Sequence, residues 1–439
     1  MMKKLIGILA VVGLLFASVS PLMAGGIINK QNLSADYFRS LTRNASTDAA
    51  DIVAYNPAGT MKLENGLYTK LDLLYISKEY SNTVDDVYAF PGEDGTYTSD
   101  VPSLVPGFFA LYKKDKWAGF FSVTVPGGGG KVEYDEGNAR TVQLATGIIL
   151  ANSPPLTPVQ YFVGIDDMFL EADSVQLGYS LGGAFEISKM FSVSGGIRYV
   201  DATQSFAGYA DMTVNPALPP GAVPDRFEVD LERDATGWSY FLGLNIEPVD
   251  KVNIGLMYMS RTELSFSTDA SKDDINVVEA LGWDEDVRED LPAVLGLGVA
   301  YRPIEPLLCE FNYTRYLESQ AALDDERFED SDAGDSYDLA LSFTYTINPQ
   351  WRTSLGFMYT DIVGMEKESL MTEAPELDAS TIGLGVVFSP TDRWDISLGY
   401  SDVSYSSETT ETSSSRAPDD TELAKDVWAV SLGVQYRFF

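Results

Sequence analysis

Residues 42–63 read TRNASTDAADIVAYNPAGTMKL, a stretch that precedes a long series of strand-like segments without being strand-like itself. Thr47 and Asp48 suit the first turn of a short helix, with Ala49, Ala50, Val53 and Ala54 as its body. Pro57 pushes Asn56 out of the α region, so this helix should stop near Tyr55. Asn56 can then cap a second turn with Pro57 at its first position, where the missing N–H costs nothing. An ordinary Asn-Pro turn satisfies the same local chemistry.

Upstream, residues 1–24 read as an export signal. Lys3 and Lys4 form a basic start, Leu5 to Val19 an apolar core, and Leu22, Met23 and Ala24 a small-residue exit. Nothing downstream offers the roughly 18 uninterrupted apolar residues of a spanning helix. Position 25 is Gly, not Cys, which argues against a lipidated N-terminus. Removing the two lysines takes the formal charge from −35 to −37, a balance that repels nucleic acid and fits solvated acidic loops. There is no histidine, which excludes Ser-His and Cys-His nucleophiles and histidine metal sites. A single cysteine, Cys309, excludes an intramolecular disulfide. No catalytic group, cofactor or metal site is expected.

Downstream, period-two alternation takes over. Val175, Leu177, Tyr179 and Leu181 share one face against Ser174, Gln176, Gly178 and Ser180. Leu339, Leu341, Phe343 and Tyr345 repeat the split against Ala340, Ser342 and Thr344. A soluble sandwich also alternates, but a small, polar second face in segments of about 9–16 residues suits a membrane barrel. Strands are expected at 66–80, 103–114, 117–125, 173–187, 191–206, 236–247, 251–266, 293–302, 307–318, 335–347, 351–361, 379–389, 394–405 and 427–438. Connections alternate between short and long without a slip, as an even-stranded barrel with both ends on one side requires. Trp117, Phe191, Trp351 and Trp394 open strands after short turns, while Trp238, Tyr337, Tyr359 and Trp428 lie toward the long loops, giving two aromatic belts.

The AYNPAG segment (54–59) at the head of such a chain resembles the FadL/TodX (OmpP1) family of outer-membrane transporters of long-chain fatty acids and hydrocarbons. VPGFFALYKKDKWAGFFSVTVPGG (105–128), LPAVLGLGVAYRP (291–303) and WRTSLGFMYTD (351–361) resemble that family's strand pairs. The resemblance implies an all-β, transmembrane antiparallel barrel of about fourteen strands, spanning residues 65–439. It also implies a helical hatch at 25–64 that closes the lumen and carries Asn56, Pro57, Ala58 and Gly59. The implied function is passive uptake of long-chain fatty acids or other hydrophobic compounds across the outer membrane of a diderm bacterium. A water-filled porin for polar solutes and a surface adhesin are the alternatives. The C-terminal VWAVSLGVQYRFF looks like the terminal strand read by barrel-assembly machinery, except that its alternating set ends at Phe438 and leaves Phe439 over. Lipid and lipopolysaccharide are the expected surroundings, and the barrel is expected to be monomeric.

Candidate ligand contacts follow from apolar and cationic residues. In the loop at 126–172, Ile148, Ile149, Leu150, Tyr161 and Phe162 either pack on one another or form a landing site for apolar ligand. Arg198, mid-strand among small residues, should point into the lumen, and Arg39 and Arg43 lie in the hatch; each could meet a carboxylate or an internal acid. The acids from Asp324 to Asp335 lack the Gly-centred spacing of a calcium loop and read as a solvated acidic loop. The family kinks its third strand inward so that ligand leaves sideways. Here Pro126, Gly127 and Gly128 either bend that strand or merely end it, and Val105, Pro106 and Gly107 offer a second kink site.

Overall fold

The computed structural model describes residues 33–84, 95–154, 159–280, 283–321, 334–362, 375–409 and 420–439. The proposed leader at 1–24 and most of the acidic run lie outside them; Asp335, within them, pairs with Arg315 at 2.9 Å. Fourteen antiparallel strands close into a barrel. They are β1 Gly66–Val84, β2 Ser103–Lys114, β3 Trp117–Gly127, β4 Phe162–Glu186, β5 Phe191–Val214, β6 Arg226–Val249 and β7 Val252–Met259. The circle continues through β8 Ala293–Ile304, β9 Leu307–Leu317, β10 Tyr337–Asn348, β11 Trp351–Asp361, β12 Ala379–Thr391, β13 Trp394–Tyr405 and β14 Glu422–Arg437. Closure runs from Tyr68↔Arg437 to Thr83↔Glu422 between β1 and β14, so the ladder has no free edge there.

The faces divide as the alternation demands. Leu339, Leu341, Phe343 and Tyr345 are exposed on the outside, whereas Ala340 and Ser342 are buried inside. Trp117, Trp351, Trp394, Trp238 and Trp428 all point outward. An arginine at Leu341 is expected to destabilise the inserted barrel by roughly 2–4 kcal/mol if it sits near midplane. Alternation alone would make Ser342→Arg much milder than Leu341→Arg. The structure revises this, because the Ser342 hydroxyl lies 2.6 Å from that of Thr42 inside a filled lumen. Ser342→Arg should therefore displace the lumen contents yet keep the barrel, and denaturant titration beside heat-modifiable mobility separates the two effects.

Several strands run further than the sequence suggests. β4 begins at Phe162, β5 reaches Val214, and β6 starts at Arg226. Their outer ends carry Asp166, Asp167, Glu171, Glu228, Asp230 and Glu232, which read as loop because the apolar alternation stops. The ladder nonetheless continues there, with Glu171↔Ala207 and Ala207↔Asp230 in register. The expected strand at 251–266 is interrupted: β7 stops at Met259, and Ser265–Asp273 resumes against β6. In the break Thr262 pairs with Leu291 instead.

Inside the barrel lies the hatch. Helix α1 (Ala35–Ser40) is capped by the Ser34 hydroxyl, which accepts from the Tyr37 amide at 3.2 Å, and it ends at Leu41 in the left-handed region. Two 3-10 turns follow, Ala50–Ala54 and Pro57–Lys62. The first is shorter and tighter than the helix expected from Thr47, and Ala49 precedes it without a side-chain cap. Pro57 does open the second turn, but the Asn56 side chain makes no capping bond.

At the long-loop end, Asn138 caps α2 (Ala139–Ala151) through a reciprocal capping box with Thr141. This helix packs with the ends of β1, β4, β5 and β6 into an apolar cluster at the long-loop end.

Candidate functional site

The hatch is held by charge. Arg39 meets Asp36 at 2.5 Å and Asp48 at 2.7 Å, and Arg43 meets Asp48 at 2.9 Å and Asp51 at 2.7 Å. Lys70 of β1 reaches Asp36 at 3.0 Å and Asp72 at 2.5 Å, and the Asp72 carboxylate accepts from the Ala35 amide at 2.8 Å. Burial disfavours a charged Asp36, yet Lys70, Arg39 and Arg43 hold its carboxyl well below the usual range. Burial also opposes the charge on Asp48, and Arg43 and Arg39 overcome it. The guanidinium of Arg43 is held above its ordinary value by Asp48 and Asp51, again against burial.

Hydrogen bonds beyond these ion pairs pin the same segment around the circumference. Arg39 Nη1 donates to Ser354 Oγ at 2.8 Å, Ser46 Oγ to Glu310 at 2.8 Å, and the Ala50 amide to Gln435 at 2.7 Å. Asn56 Nδ2 donates to the carbonyls of Asn44 at 3.0 Å and Leu244 at 3.1 Å, while Ser192 Oγ donates to the Ala58 carbonyl at 2.9 Å. That is why Asn56 does not cap: its amide ties the hatch to β6. The approach is so close that a Cβ on Gly255 of β7 would stand 1.9 Å from the Asn44 carbonyl oxygen. Gly59 is similarly confined beneath the Ser46 carbonyl.

Two cavities flank the hatch. Toward the short turns, a cavity of about 340 Å³ is lined by charged groups that include Asp48, Lys62, Glu247, Arg302 and Arg352. Toward the long loops lies a cavity of about 260 Å³. Tyr37, Phe38 and Leu41 of the hatch form one side of it, with Ile76, Met358, Val403 and Val427 from the wall. Leu104, Pro106, Val125, Val175 and Leu177 line it as well. These five belong to the outward-facing sets of β2, β3 and β4, so the cavity passes through the wall.

The pairing pattern explains the opening. Against β1, β2 is registered from Ser103 to Lys113. Against β3 it is registered only from Phe108↔Val123 to Lys114↔Trp117, which leaves Ser103–Gly107 with one neighbour. β3 passes through Pro126 with a register shift against β4 between Thr124 and Gly127. Proline has no N–H to donate to the ladder, and the strand carries on past it to Gly127. Gly128 then takes φ +90°, where a Cβ would collide with the Ser174 carbonyl at 2.3 Å. The Gly130 amide donates to that same carbonyl at 3.0 Å.

The other expected ligand residues are scattered. Ile148, Ile149 and Phe162 are buried in the outer apolar cluster, with Tyr161 half-buried against it, so self-packing accounts for them; Leu150 alone is well exposed. Arg43 has its terminal nitrogens committed to Asp48 and Asp51 and does not line the apolar cavity. Arg198 does point inward, as expected, but donates to Ser239 at 3.3 Å and Thr262 at 3.2 Å away from that cavity. Sequence reasoning missed Lys78, Lys425 and Thr381, all of which line it.

A closed fourteen-stranded barrel whose lumen is filled by its own N-terminal segment, with an apolar cavity reaching through the wall, defines a plugged transport barrel. The family model described as outer membrane protein transport protein (OMPP1/FadL/TodX) matches residues 170–438, and the chain belongs to that family. Its place is accordingly the outer membrane. The crystal structure of a Pseudomonas aeruginosa FadL homologue aligns with a TM-score of 0.68 at 15% identity, covering 92% of this chain and 98% of that one. The Pseudomonas putida toluene transporter TodX gives 0.61 at 14% identity, covering 89% and 94% respectively. The Ralstonia pickettii toluene transporter TbuX gives 0.61 at 15%, covering 94% and 100%. At these identities the likeness concerns the fold. No curated protein matches the sequence.

Proposed function

We propose that this barrel takes up long-chain fatty acids or related hydrophobic compounds from outside the cell and releases them sideways into the membrane between β2 and β3. One observation carries the reading: a single apolar cavity is lined both by lumen side chains and by lipid-facing ones such as Leu104 and Val125. The downward route instead meets the charged cavity around Asp48, Lys62 and Arg352, where an apolar solute would strip water from ions. The toluene transporters among its structural relatives support an apolar cargo. Transport is passive, with no reaction and no energy source. The chain works as a monomer, delivered through its leader and inserted by assembly machinery that reads the C-terminal strand, among lipid and lipopolysaccharide.

Liposome swelling together with labelled-oleate uptake tests the proposal. Slow swelling with sugars and rapid oleate uptake are expected; fast swelling would favour a porin and overturn it. Asn56→Ala with Pro57→Ala should weaken the hatch by about 2 kcal/mol, the worth of its two hydrogen bonds. Uptake should fall while the heat-modifiable barrel band persists. Loss of that band would make the motif structural for the barrel.

A further inference from the structure

The wall is interrupted a second time, at the outer end of β7. Strand β7 is registered against β6 only as far as Phe241↔Met259, and the returning segment Ser265–Asp273 takes up the same edge of β6 from Asp234 onward. Ala235–Ser239 of β6 are left without a ladder partner on that side. Ser260 still bonds to Tyr240: its amide donates to the Tyr240 carbonyl at 2.9 Å, and its hydroxyl accepts from the Tyr240 amide at 3.0 Å. The chain then turns inward. Thr262 and Leu264 are wholly buried, and a Cβ on Gly237 would stand 2.2 Å from the Glu263 carbonyl oxygen. The break thus leaves a notch that is stopped on the lumen side and open to the lipid side.

This notch has a volume of about 600 Å³. Trp238, Tyr240 and Tyr258 line it from the outward sets of β6 and β7, and Arg261, Glu263 and Gln320 line it from the connections. Trp238 is 63% exposed, more than any other tryptophan of the chain. Arg261 Nη1 donates to the Gln320 carbonyl at 2.8 Å and Nη2 to Glu263 Oε1 at 2.6 Å, so each nitrogen keeps one N–H and Glu263 keeps its second oxygen. Toward the short turns the outward face becomes wholly apolar. Leu242 and Leu295 flank Tyr258 in register, Leu256 lies one outward step below, and all three leucines are exposed.

We infer that the notch binds the saccharide headgroup of an outer-leaflet glycolipid, lipopolysaccharide, whose acyl chains run down over Leu242, Leu256 and Leu295. Its mouth opens sideways at the level of the outer aromatic belt, so whatever enters comes from the outer leaflet. A pyranose ring presents a C–H face that packs on aromatic rings, and a rim of hydroxyls that needs donors and acceptors together. Trp238 and Tyr258 supply the first, and Arg261 with Glu263 supplies the second. A bare phosphate would meet the Glu263 carboxylate as a like charge, so the notch suits hydroxyls and leaves the glycolipid's phosphates to solvent. The site is separate from the uptake path, because it shares no lining residue with the apolar cavity behind β2 and β3.

The test is native mass spectrometry of the full mature protein in detergent, titrated separately with lipid A and with dioleoylphosphatidylglycerol, which is anionic but carries no sugar. Wild type should bind lipid A roughly tenfold more tightly or better. Trp238→Leu with Tyr258→Leu keeps the outer face apolar while removing the stacking rings, and should bring the two lipids to parity. Trp238→Leu alone, at an exposed ring, should already lower the preference and serves if the double variant fails to fold. Tyr359→Leu with Trp428→Leu strips the same belt away from the notch and should leave the preference intact; heat-modifiable mobility verifies each barrel. Equal binding of the two lipids by wild type would overturn the inference. So would a preference that survives loss of the notch rings, or one lost equally in the belt control.

Discussion

Arg43→Ala is expected to unseat the hatch without unfolding the barrel. The Arg43 guanidinium is fully buried and bridges Asp48 and Asp51, and Asp51 is itself wholly inaccessible. Removing the cation takes away the Asp51 carboxylate's buried counter-ion, while the Ser34 hydroxyl still donates to it at 2.6 Å. Breaking a buried pair in this way costs about 3–5 kcal/mol. That cost falls on hatch docking, because the β1–β14 closure involves neither residue. Planar-bilayer conductance should rise and protease should reach residues 42–63, while the folded band on gels remains. Arg43→Lys, which can meet one carboxylate well but not both, should lie between. Unchanged conductance in Arg43→Ala would show that the ion pairs do not hold the plug.

Linking β2 to β3 across the gap should abolish uptake almost completely. Extending the register of Phe108↔Val123 by two residues places Pro106 opposite Val125, both of them lining the cavity where it crosses the wall. Pro106→Cys with Val125→Cys, in a Cys309→Ser background, gives a pair that a short bifunctional thiol reagent can bridge. Cross-linked protein should still bind dodecanoate yet take up labelled oleate at least tenfold more slowly, with reduction restoring transport. Full uptake through the bridged wall would mean that ligand leaves by another route.

How far the sequence carried these conclusions depended on whether the deciding contact was local. Leu341 and Ser342 declare their faces by alternation, and the closed, even-stranded barrel follows from their repetition together with the short and long connections. The outer halves of β4 to β6 were hidden, because acids such as Asp167, Glu171 and Glu228 break the apolar alternation while the backbone ladder persists. Asn56 was legible as special but not as a wall tie, since Leu244 lies 188 residues away in the chain. Arg43 and Arg39 were legible as cations, and only the folded hatch shows that Asp36, Asp48 and Asp51 consume them. The Ile148 and Ile149 cluster was ambiguous for the same reason, as its covering partners come from β1, β4 and β6. Lys78 did carry a signal, being a lysine on the inward set of β1 between Ile76 and Tyr80. Only barrel closure, which sets β1 beside β14, places it with Lys425 in the lining of the apolar cavity.

The most direct test is to follow the ligand itself. A fatty acid carrying a diazirine near its methyl end, photolysed during uptake and mapped by peptide mass spectrometry, should label Val105, Val125 and Leu177 around the opening. Peptides bearing Lys62, Glu247 and Arg302, which line the charged cavity below the hatch, should stay clean. Label on those peptides, with none at the gap, would contradict sideways release and place the path straight through the barrel.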